Sequence, residues 1–317
     1  MTKPEIAKLG HVGLVTENLE KSLWFFQDVI GLVLTEEKDG VYYLRATNDF
    51  EHHTLAVREG NESYVDHIAW RTKRPEDVDL FAELLQFSGT DIEWVKEGTE
   101  AGQGKAFRFK LPSKHTFEIY YEMEKTPADE ARKSVLKNQV YRSWYRGISP
   151  RRIDHVNLLT SYSPKELTNF MMEKLGFKLR EYVKLPDGEY GGSWLSVTPL
   201  VHDIAFSFDP EAPTPHQIHH LAYWLDDSQD LLRAADILAE NGLKFKGPGK
   251  HGISQAKYIY VQDPGSGLRI ELFSGGYLIF DPDWEPVEWT LDEMLVGFTF
   301  WGDQMDNKPE NNPTIKA

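Results

Sequence analysis

An internal repeat constrains the fold of this chain more than any other feature of its sequence. Residues 8–34, KLGHVGLVTENLEKSLWFFQDVIGLVL, match residues 152–179, RIDHVNLLTSYSPKELTNFMMEKLGFKL. Each segment reads as a strand around His-Val, a turn, a helix with apolar residues at helical spacing, and a glycine turn. Residues 64–89 and 218–242 form a second pair, in which a histidine-bearing strand precedes an amphipathic helix with an acidic start.

Strand-like stretches follow the helices, for example in residues 105–121, 202–208 and 257–273. In the last of these, Asp-Pro-Gly-Ser-Gly at 263–267 is a turn signal between two alternating runs. The pattern predicts an α+β protein made of four units, each with one strand, one helix and about three strands (βαβββ).

The four units predict two domains. We expect two units in an N-terminal domain, residues 1–145, and two in a C-terminal domain, residues 146–301. Residues 126–145 read as a helical or irregular linker between them. Residues 302–317 lack apolar periodicity and are expected to form a loosely ordered, flexible tail.

Composition excludes several classes of protein. The chain has no cysteine, which rules out disulfides, thiolate metal sites and cysteine nucleophiles. Its net charge of −15, without a basic cluster, argues against nucleic-acid binding. No apolar run approaches the roughly 18–20 residues needed to span a membrane, and MTKPEIAKLG does not read as a secretory signal. We therefore expect a cytoplasmic protein with no membrane partner.

Two histidines and one glutamate of the C-terminal half occupy matching places in the repeat. His155 and His220 lie on the first strands of their units, and Glu271 lies on a last strand, opposite the aliphatic face of LRIELF. Two imidazoles and a carboxylate can take one face of an octahedral ion and leave three positions open, as in non-haem iron oxygenases. A catecholate and O₂ could fill those positions and exchange electrons through the ion, which zinc does not allow.

The same three residues also have an ordinary interpretation. A single histidine on a strand is usually structural, and an arginine partner would explain a buried glutamate equally well. Their spacing is too long to form a local motif. The repeat strengthens the metal hypothesis because it puts them at equivalent points of paired units.

Other polar and aromatic side chains fall near the same strands: His202, His251, Tyr260, Trp194 and Asn157. They offer a titratable group near neutral pH, a phenol that can hydrogen-bond a substrate oxygen, and an aromatic wall. Ordinary core packing explains Trp194 equally well, and a strand tyrosine with its hydroxyl in water explains Tyr260.

These segments resemble the extradiol catechol dioxygenases of the vicinal-oxygen-chelate superfamily, which also includes glyoxalases and bleomycin-resistance proteins. The resemblance covers residues 6–301 and is strongest over residues 247–273, GPGKHGISQAKYIYVQDPGSGLRIELF. That stretch holds a histidine, a tyrosine and a glutamate in the family's order, with one extra residue between Tyr260 and Glu271. The segments IDHVN, LVHDIAF and QIHHLAYW match as well.

The resemblance implies two incomplete-barrel domains and a catechol 2,3-dioxygenase of aromatic hydrocarbon catabolism. Such an enzyme opens catechol or an alkylcatechol with both atoms of O₂, to a product of the 2-hydroxymuconic semialdehyde type. The family's ion is Fe(II) or Mn(II), and a homo-oligomer, commonly a tetramer, is implied. The resemblance implies that three residues bind the metal: His155, His220 and Glu271. It implies that three more transfer protons and orient the catechol: His202, His251 and Tyr260. Asn157 and Trp194 are implied to lie around them.

The substrate's substituent is addressed by two further positions. Relatives that act on homoprotocatechuate (3,4-dihydroxyphenylacetate) carry an arginine pair for its carboxylate, and the matching residues here are Lys246 and Phe298. A phenyl group cannot replace a bidentate carboxylate partner. Catechol or an alkylcatechol is therefore favoured, while Lys246 keeps homoprotocatechuate as an alternative.

The N-terminal half carries the same set of residue types. The repeat places His11, His67, Glu118 and His53 opposite His155, His220, Glu271 and His202, respectively. One hypothesis is a second metal site, and the other is a relic without metal. Thr99 falls opposite His251, and Arg108 falls opposite Tyr260. Both favour the relic, because neither repeats the residue of the C-terminal half. In addition, an arginine beside a dication is unfavourable.

Two other functions fit the same fold. A metal-dependent isomerase or lyase needs a Lewis acid but no electron relay, and the trio His202, His251 and Tyr260 argues against it. A non-catalytic binding protein needs no metal ligands, and such relatives are typically single two-unit chains that dimerise.

Overall fold

The computed structural model describes residues 3–142, 145–303 and 314–317. Strands and helices alternate along these residues. The strands are β1 (Ile6–Thr16), β2 (Val33–Lys38), β3 (Val41–Arg45), β4 (Leu55–Glu59), β5 (Tyr64–Thr72), β6 (Ile92–Val95), β7 (Ala106–Lys110), β8 (Thr116–Tyr120), β9 (Arg152–Thr160), β10 (Lys178–Lys184), β11 (Tyr190–Ser196), β12 (Ile204–Phe208), β13 (Gln217–Trp224), β14 (Phe245–Lys250), β15 (Ala256–Gln262), β16 (Arg269–Gly275), β17 (Val287–Thr290) and β18 (Ile315–Lys316). The α-helices are α1 (Leu19–Trp24), α2 (Glu76–Phe87), α3 (Pro164–Leu175), α4 (Ser228–Glu240) and α5 (Met294–Phe298).

The chain builds its sheet by one pairing rule that recurs from β1 to β16. In each half the strands that precede the first two α-helices pair antiparallel, β1 with β5 and β9 with β13. Each of these strands also pairs in parallel with the strand that closes its own segment: β1 with β4, β5 with β8, β9 with β12, and β13 with β16. The α+β fold class expected from the sequence is confirmed, and side chains far apart in sequence are placed on neighbouring strands.

Helix ends are fixed by local sequence. The side chain of Ser163 accepts a hydrogen bond from the backbone of Glu166, and Pro164 opens α3; both are preferred at a helix start. α3 ends at Gly176 in the left-handed conformation that glycine adopts easily. α4 begins with a capping box between Asp227 and Asp230.

The apolar core runs through both halves of the chain. The ring of Trp70 in β5 packs edge-on against Phe177 at a centroid distance of 5.0 Å. Phe109 and Phe170 stack across the same boundary at 6.4 Å. The buried Asp263 also accepts a hydrogen bond of 2.6 Å from the hydroxyl of Ser22 in α1. These contacts hold the two halves together; a domain boundary near residue 145 stays a prediction. The described residues between β8 and β9 form neither a helix nor a strand.

The segment after β16 was not predicted by the repeat. Residues 276–303, called the strap below, contain β17 and α5. β17 pairs in parallel with β10, and Met294 and Phe298 of α5 pack onto the cluster that contains Trp194. The GPGK segment, residues 247–250, lies within β14, which pairs with β15.

The C-terminus differs from the expectation of a loosely ordered tail. Residues 304–313 lie outside the described residues, but β18 pairs with β13 and β5, and Ala317 is buried. The last residues are ordered because their backbone groups complete the sheet. No helix within the described parts of the chain is long and apolar enough to cross a membrane.

Candidate metal centre

Three donor atoms meet on the inner face of the C-terminal half. The Nε2 atoms of His155 (β9) and His220 (β13) lie 3.1 Å apart. The Oε2 atom of Glu271 (β16) is 2.9 Å from the first and 3.1 Å from the second. Neighbouring ligands of an octahedral ion with bonds of about 2.1 Å are about 3.0 Å apart. The three side chains, all buried, therefore fit one divalent ion.

The partners of these side chains favour the protonation states that a metal requires. Burial raises the pKa of Glu271, but His220 and the hydrogen bonds from both imidazoles outweigh it and hold the pKa well below its usual value. Burial lowers the pKa of His220 to about 4. The carboxylate is thus ionised and this imidazole neutral, as metal ligands need to be.

His155 is oriented by a neighbour that sequence reasoning missed. Its Nδ1 donates to Oδ2 of Asp154 over 2.8 Å, which turns Nε2 towards Glu271. Burial opposes protonation, yet the hydrogen bonds to Asp154 and Glu271 raise the pKa of His155 to about 9. An ion that binds here displaces that proton. The acidic residue directly before the histidine was the available signal, since metal-bound histidines commonly donate to a carboxylate.

His202 sits beside the three donors and lines the cavity in front of them. Its ring lies 4.0 Å, centroid to centroid, from that of His155. Burial and the positive charge of His155 hold its pKa well below the usual value, so the imidazole is neutral at neutral pH.

His251 and Tyr260 form a hydrogen-bonded pair beside Glu271, whose Oε1 lies 3.7 Å from Nε2 of His251. The Nδ1 of His251 donates to the carbonyl of Phe298 in α5, and the hydroxyl of Tyr260 lies 3.0 Å from its Nε2. The Tyr260 hydroxyl and the His251 imidazole therefore share a hydrogen bond. Burial and the charge of Glu271 raise the pKa of Tyr260 well above its usual value, which keeps the phenol protonated.

A cavity of about 780 Å³ opens in front of these groups. Trp194, Asn157 and Phe298, which the sequence predicts to contact substrate, are among the residues that line it. Lys246 is in β14 and is not among the described residues that line the cavity. The cavity wall also includes apolar residues from β12, the strap and connecting segments: Leu185, Phe208, Pro213, Met294 and Leu295.

Two further residues beside the triad were not foreseen. His219 places Nδ1 at 2.7 Å from Nδ1 of His220, and Arg269 donates from Nη1 to Nε2 of His219 over 2.8 Å. Burial lowers the pKa of Arg269 to about 10, so it carries a positive charge at neutral pH. Arg269 precedes Glu271 by two residues and shares its face of β16, which was a readable signal.

The N-terminal set also comes together, but with a different spacing and different partners. His11, His67 and Glu118 lie on β1, β5 and β8, where β9, β13 and β16 carry the residues described above. A fourth buried residue, Glu100, joins them; no pattern in the sequence pointed to it.

The geometry of the three donor atoms defines a class of metal enzyme. Two imidazoles and one carboxylate on one side of a cavity are the donor set of mononuclear non-haem metal enzymes, which bind substrate and O₂ at the remaining positions of the ion.

Comparison with known proteins narrows this class to a family. Residues 152–272 match the Glyoxalase/Bleomycin resistance protein/Dioxygenase superfamily, and residues 65–125 match the catechol 2,3-dioxygenase-like N-terminal domain. The chain is 56% identical to a manganese-dependent 2,3-dihydroxybiphenyl 1,2-dioxygenase of Geobacillus genomosp. 3, over 95% of both chains. It is 40% identical to a metapyrocatechase of Geobacillus stearothermophilus, over 94% of this chain and 90% of that one.

Solved structures similar to this chain point to the same family. The 2,3-dioxygenase LapB of Pseudomonas sp. KL28 is 32% identical with a TM-score of 0.82, over 92% of this chain and 100% of that one. Homoprotocatechuate 2,3-dioxygenase of Brevibacterium fuscum, in complex with 3,4-dihydroxyphenylacetate, is 27% identical with a TM-score of 0.83, over 96% and 91%. This chain belongs to the extradiol ring-cleaving dioxygenases of that superfamily, which act on aromatic compounds.

Proposed function

We propose that this dioxygenase cleaves catechols that carry an uncharged apolar substituent, alkyl or aryl, beside one hydroxyl. Both atoms of O₂ enter the product. The bond between a hydroxylated carbon and its outer neighbour breaks, which gives a carboxylic acid and a second carbonyl. That carbonyl is an aldehyde, as in 2-hydroxymuconic semialdehyde, when the cleaved neighbour carries hydrogen, and a ketone when it carries the substituent.

The size and lining of the cavity support this substrate class. Its volume of about 780 Å³ lies in the range that holds drug-sized ligands and is more than one aromatic ring needs. Leu185, Met294 and Phe298 offer it apolar surface, while Asp209 and Glu211 also line it. A substituent with a negative charge would meet these two carboxylates, whereas an apolar one would bury against carbon. A relative that is 56% identical acts, by its name, on 2,3-dihydroxybiphenyl.

One observation favours a carboxylated catechol as a second candidate. Arg269 lines the cavity, is almost fully buried, and has an Nη2 atom with no hydrogen-bond partner. An unpaired buried guanidinium is costly, and a carboxylate would satisfy it. The absence of an arginine at Phe298 weighs against this alternative, so it ranks second.

The roles of the side chains follow from their positions. We assign His155, His220 and Glu271 to an Fe(II) or Mn(II) ion, with manganese favoured by the name of that relative. When bound, the ion lets electrons pass between the catechol and O₂. Tyr260 and His251 hold the catechol oxygens by hydrogen bonds, and the neutral imidazole of His202 takes up and returns a proton at the cavity face. Trp194 and Asn157 shape the space around the ring.

A substrate panel tests the proposal. The protein is loaded anaerobically with Mn(II) or Fe(II), and O₂ uptake and the yellow product are followed with four catechols. We expect kcat/KM to be highest for 2,3-dihydroxybiphenyl, lower for 3-methylcatechol and catechol, and lowest for 3,4-dihydroxyphenylacetate. A preference for the carboxylated substrate would overturn the ranking in favour of the second candidate, and absence of O₂ uptake with every catechol would overturn both.

A pair of substitutions at one position sharpens the test. Phe298→Arg supplies the guanidinium that relatives use, so we expect it to raise kcat/KM for 3,4-dihydroxyphenylacetate by about tenfold or more, the effect of ~1.5–3 kcal/mol from one charged hydrogen bond. Phe298→Leu removes the ring without adding charge and serves as the matched control. An equal response of both variants would show that a guanidinium at position 298 does not bind the substrate carboxylate.

A further inference from the structure

The N-terminal copy of the site keeps two imidazoles in place but withdraws its glutamate. The Nε2 atoms of His11 and His67 are 3.2 Å apart, close to the separation in the C-terminal half. Glu118, the counterpart of Glu271, is 3.7 Å from the first and 4.0 Å from the second. Two of the three donors therefore keep the spacing of an ion site, and the third does not.

Arg108 draws Glu118 away. Arg108 pairs with Glu118 in the β7–β8 register, as Tyr260 pairs with Glu271 in the β15–β16 register. Its guanidinium donates to Glu118 over 2.7 Å, to Glu100 over 2.8 Å and to Asp66 over 2.9 Å. Its Nη2 lies 3.5 Å from Nε2 of His67, which places a fixed positive charge beside the two imidazoles.

Glu100 supplies a carboxylate between the imidazoles. Its Oε1 is 3.1 Å from Nε2 of His67, and its Oε2 is 3.1 Å from Nε2 of His11 and 3.3 Å from Nε2 of His53. His53 is the counterpart of His202, which faces the substrate cavity in the other half. Glu100 thus occupies the side of the cluster that is open in the C-terminal half.

Three buried atoms of this cluster make no hydrogen bond of good geometry: Nδ1 of His11, Oε2 of Glu100 and Nε2 of His53. Buried polar groups are normally satisfied, so the cluster retains unsatisfied polar atoms. His11, His67, Glu100 and Glu118 together offer two nitrogen and two oxygen ligands, all buried and within 4.8 Å of one another. That donor set suits Mn(II), Fe(II) or Zn(II).

We propose that the ion pair of Arg108 and Glu100 is a built-in occupant of the N-terminal site. The guanidinium of Arg108 supplies the positive charge that an ion would otherwise supply. The carboxylate of Glu100 lies where an exogenous ligand of the ion would bind. The guanidinium excludes a dication because like charges at this distance repel strongly in a buried site. Neutralising Arg108 leaves two buried carboxylates, Glu100 and Glu118, with two imidazoles and turns the cluster into a second divalent metal site.

Metal counting with Mn(II) alone tests the proposal. Each protein is equilibrated with Mn(II), freed of unbound ion and analysed for manganese per chain, with the Mn(II) EPR spectrum as a second readout. We expect one ion in the wild type, none in Glu271→Ala, two in Arg108→Gln and one in the double variant Arg108→Gln/Glu271→Ala. Arg58→Gln is the matched control: it removes another arginine bonded to Asp66 without touching the imidazoles, and it should keep one ion.

The double variant separates this proposal from the assignment of the C-terminal ligands. An ion retained there comes from the N-terminal cluster whatever happens at Glu271. Circular dichroism and the melting temperature establish that each variant is folded, and Arg108→Tyr, which copies the residue of the other half, replaces Arg108→Gln if the latter does not fold. A folded Arg108→Gln or Arg108→Tyr protein that binds no additional ion overturns the proposal. The proposal is also overturned if Glu271→Ala, in which Arg108 is unchanged, binds one manganese ion tightly, because that ion would lie in the N-terminal half.

Discussion

His115 tests how a buried histidine at the contact between the two halves makes the stability of the protein depend on pH. It is fully buried before β8, and its Nε2 donates to the carbonyl of Gln217 in β13 over 2.9 Å. Gln217 also lines the substrate cavity. Burial lowers the pKa of His115 from 6.5 to about 4, against the opposing effect of that hydrogen bond.

The sign and size of the effect follow from this shift. The unfolded chain binds a proton at His115 below pH ~6.5, whereas the folded chain does so only near pH 4. The stability contributed by the neutral imidazole is present above pH ~6.5 and is lost as the pH falls towards 4. Between pH 7.5 and pH 5.0 the loss is about 2 kcal/mol, since each unit of separation is worth about 1.36 kcal/mol.

The substitution His115→Gln removes the titration and keeps a donor for the Gln217 carbonyl. We expect urea unfolding of the ion-free protein to show a loss between pH 7.5 and 5.0 that is about 2 kcal/mol smaller in His115→Gln than in the wild type. His216→Gln is the control, because His216 touches His115 but is only partly buried. An equal loss in the wild type and His115→Gln would refute the argument, and so would an equally large effect of His216→Gln.

Three further predictions address the site and its supports. Glu271→Ala should lose the C-terminal ion outright, as measured by metal analysis, whereas the corresponding Glu118→Ala should keep it. His202→Phe should retain the ion but slow turnover by about 10²–10⁴-fold, the usual contribution of a general acid–base group; His53→Ala should leave activity nearly intact, and the reverse pattern would move catalysis to the other half. Glu181→Gln should lower the melting temperature and raise KM for a bulky catechol more than it lowers kcat. Its buried carboxylate accepts from Ser254, Tyr277 and Trp289, which tie the strap to the His251 segment, and unchanged KM and melting temperature would remove it from that role.

Residue patterns predicted the fold because the repeat is visible in the linear sequence. The His-Val strands, the amphipathic helices and the Asp-Pro-Gly-Ser-Gly turn between β15 and β16 each have a local cause, namely side-chain periodicity and turn chemistry. The strap and the pairing of β18 were not predicted, since a short segment outside a repeat takes its conformation from the surface on which it packs.

The sequence by itself determined which residue types recur at matching points of the two halves, and so it pointed to His155, His220 and Glu271 as candidate ligands. It also placed Arg108 opposite Tyr260, because both positions lie on the same strand of the repeat. Only the tertiary structure decided which carboxylates reach the imidazoles: Glu271 closes to 2.9 Å from His155, while Glu118 is held back and Glu100 takes the central place. Strand order determines where the backbone of each residue lies. The position of a charged end group depends also on charged groups from other segments, which come together only in the folded chain.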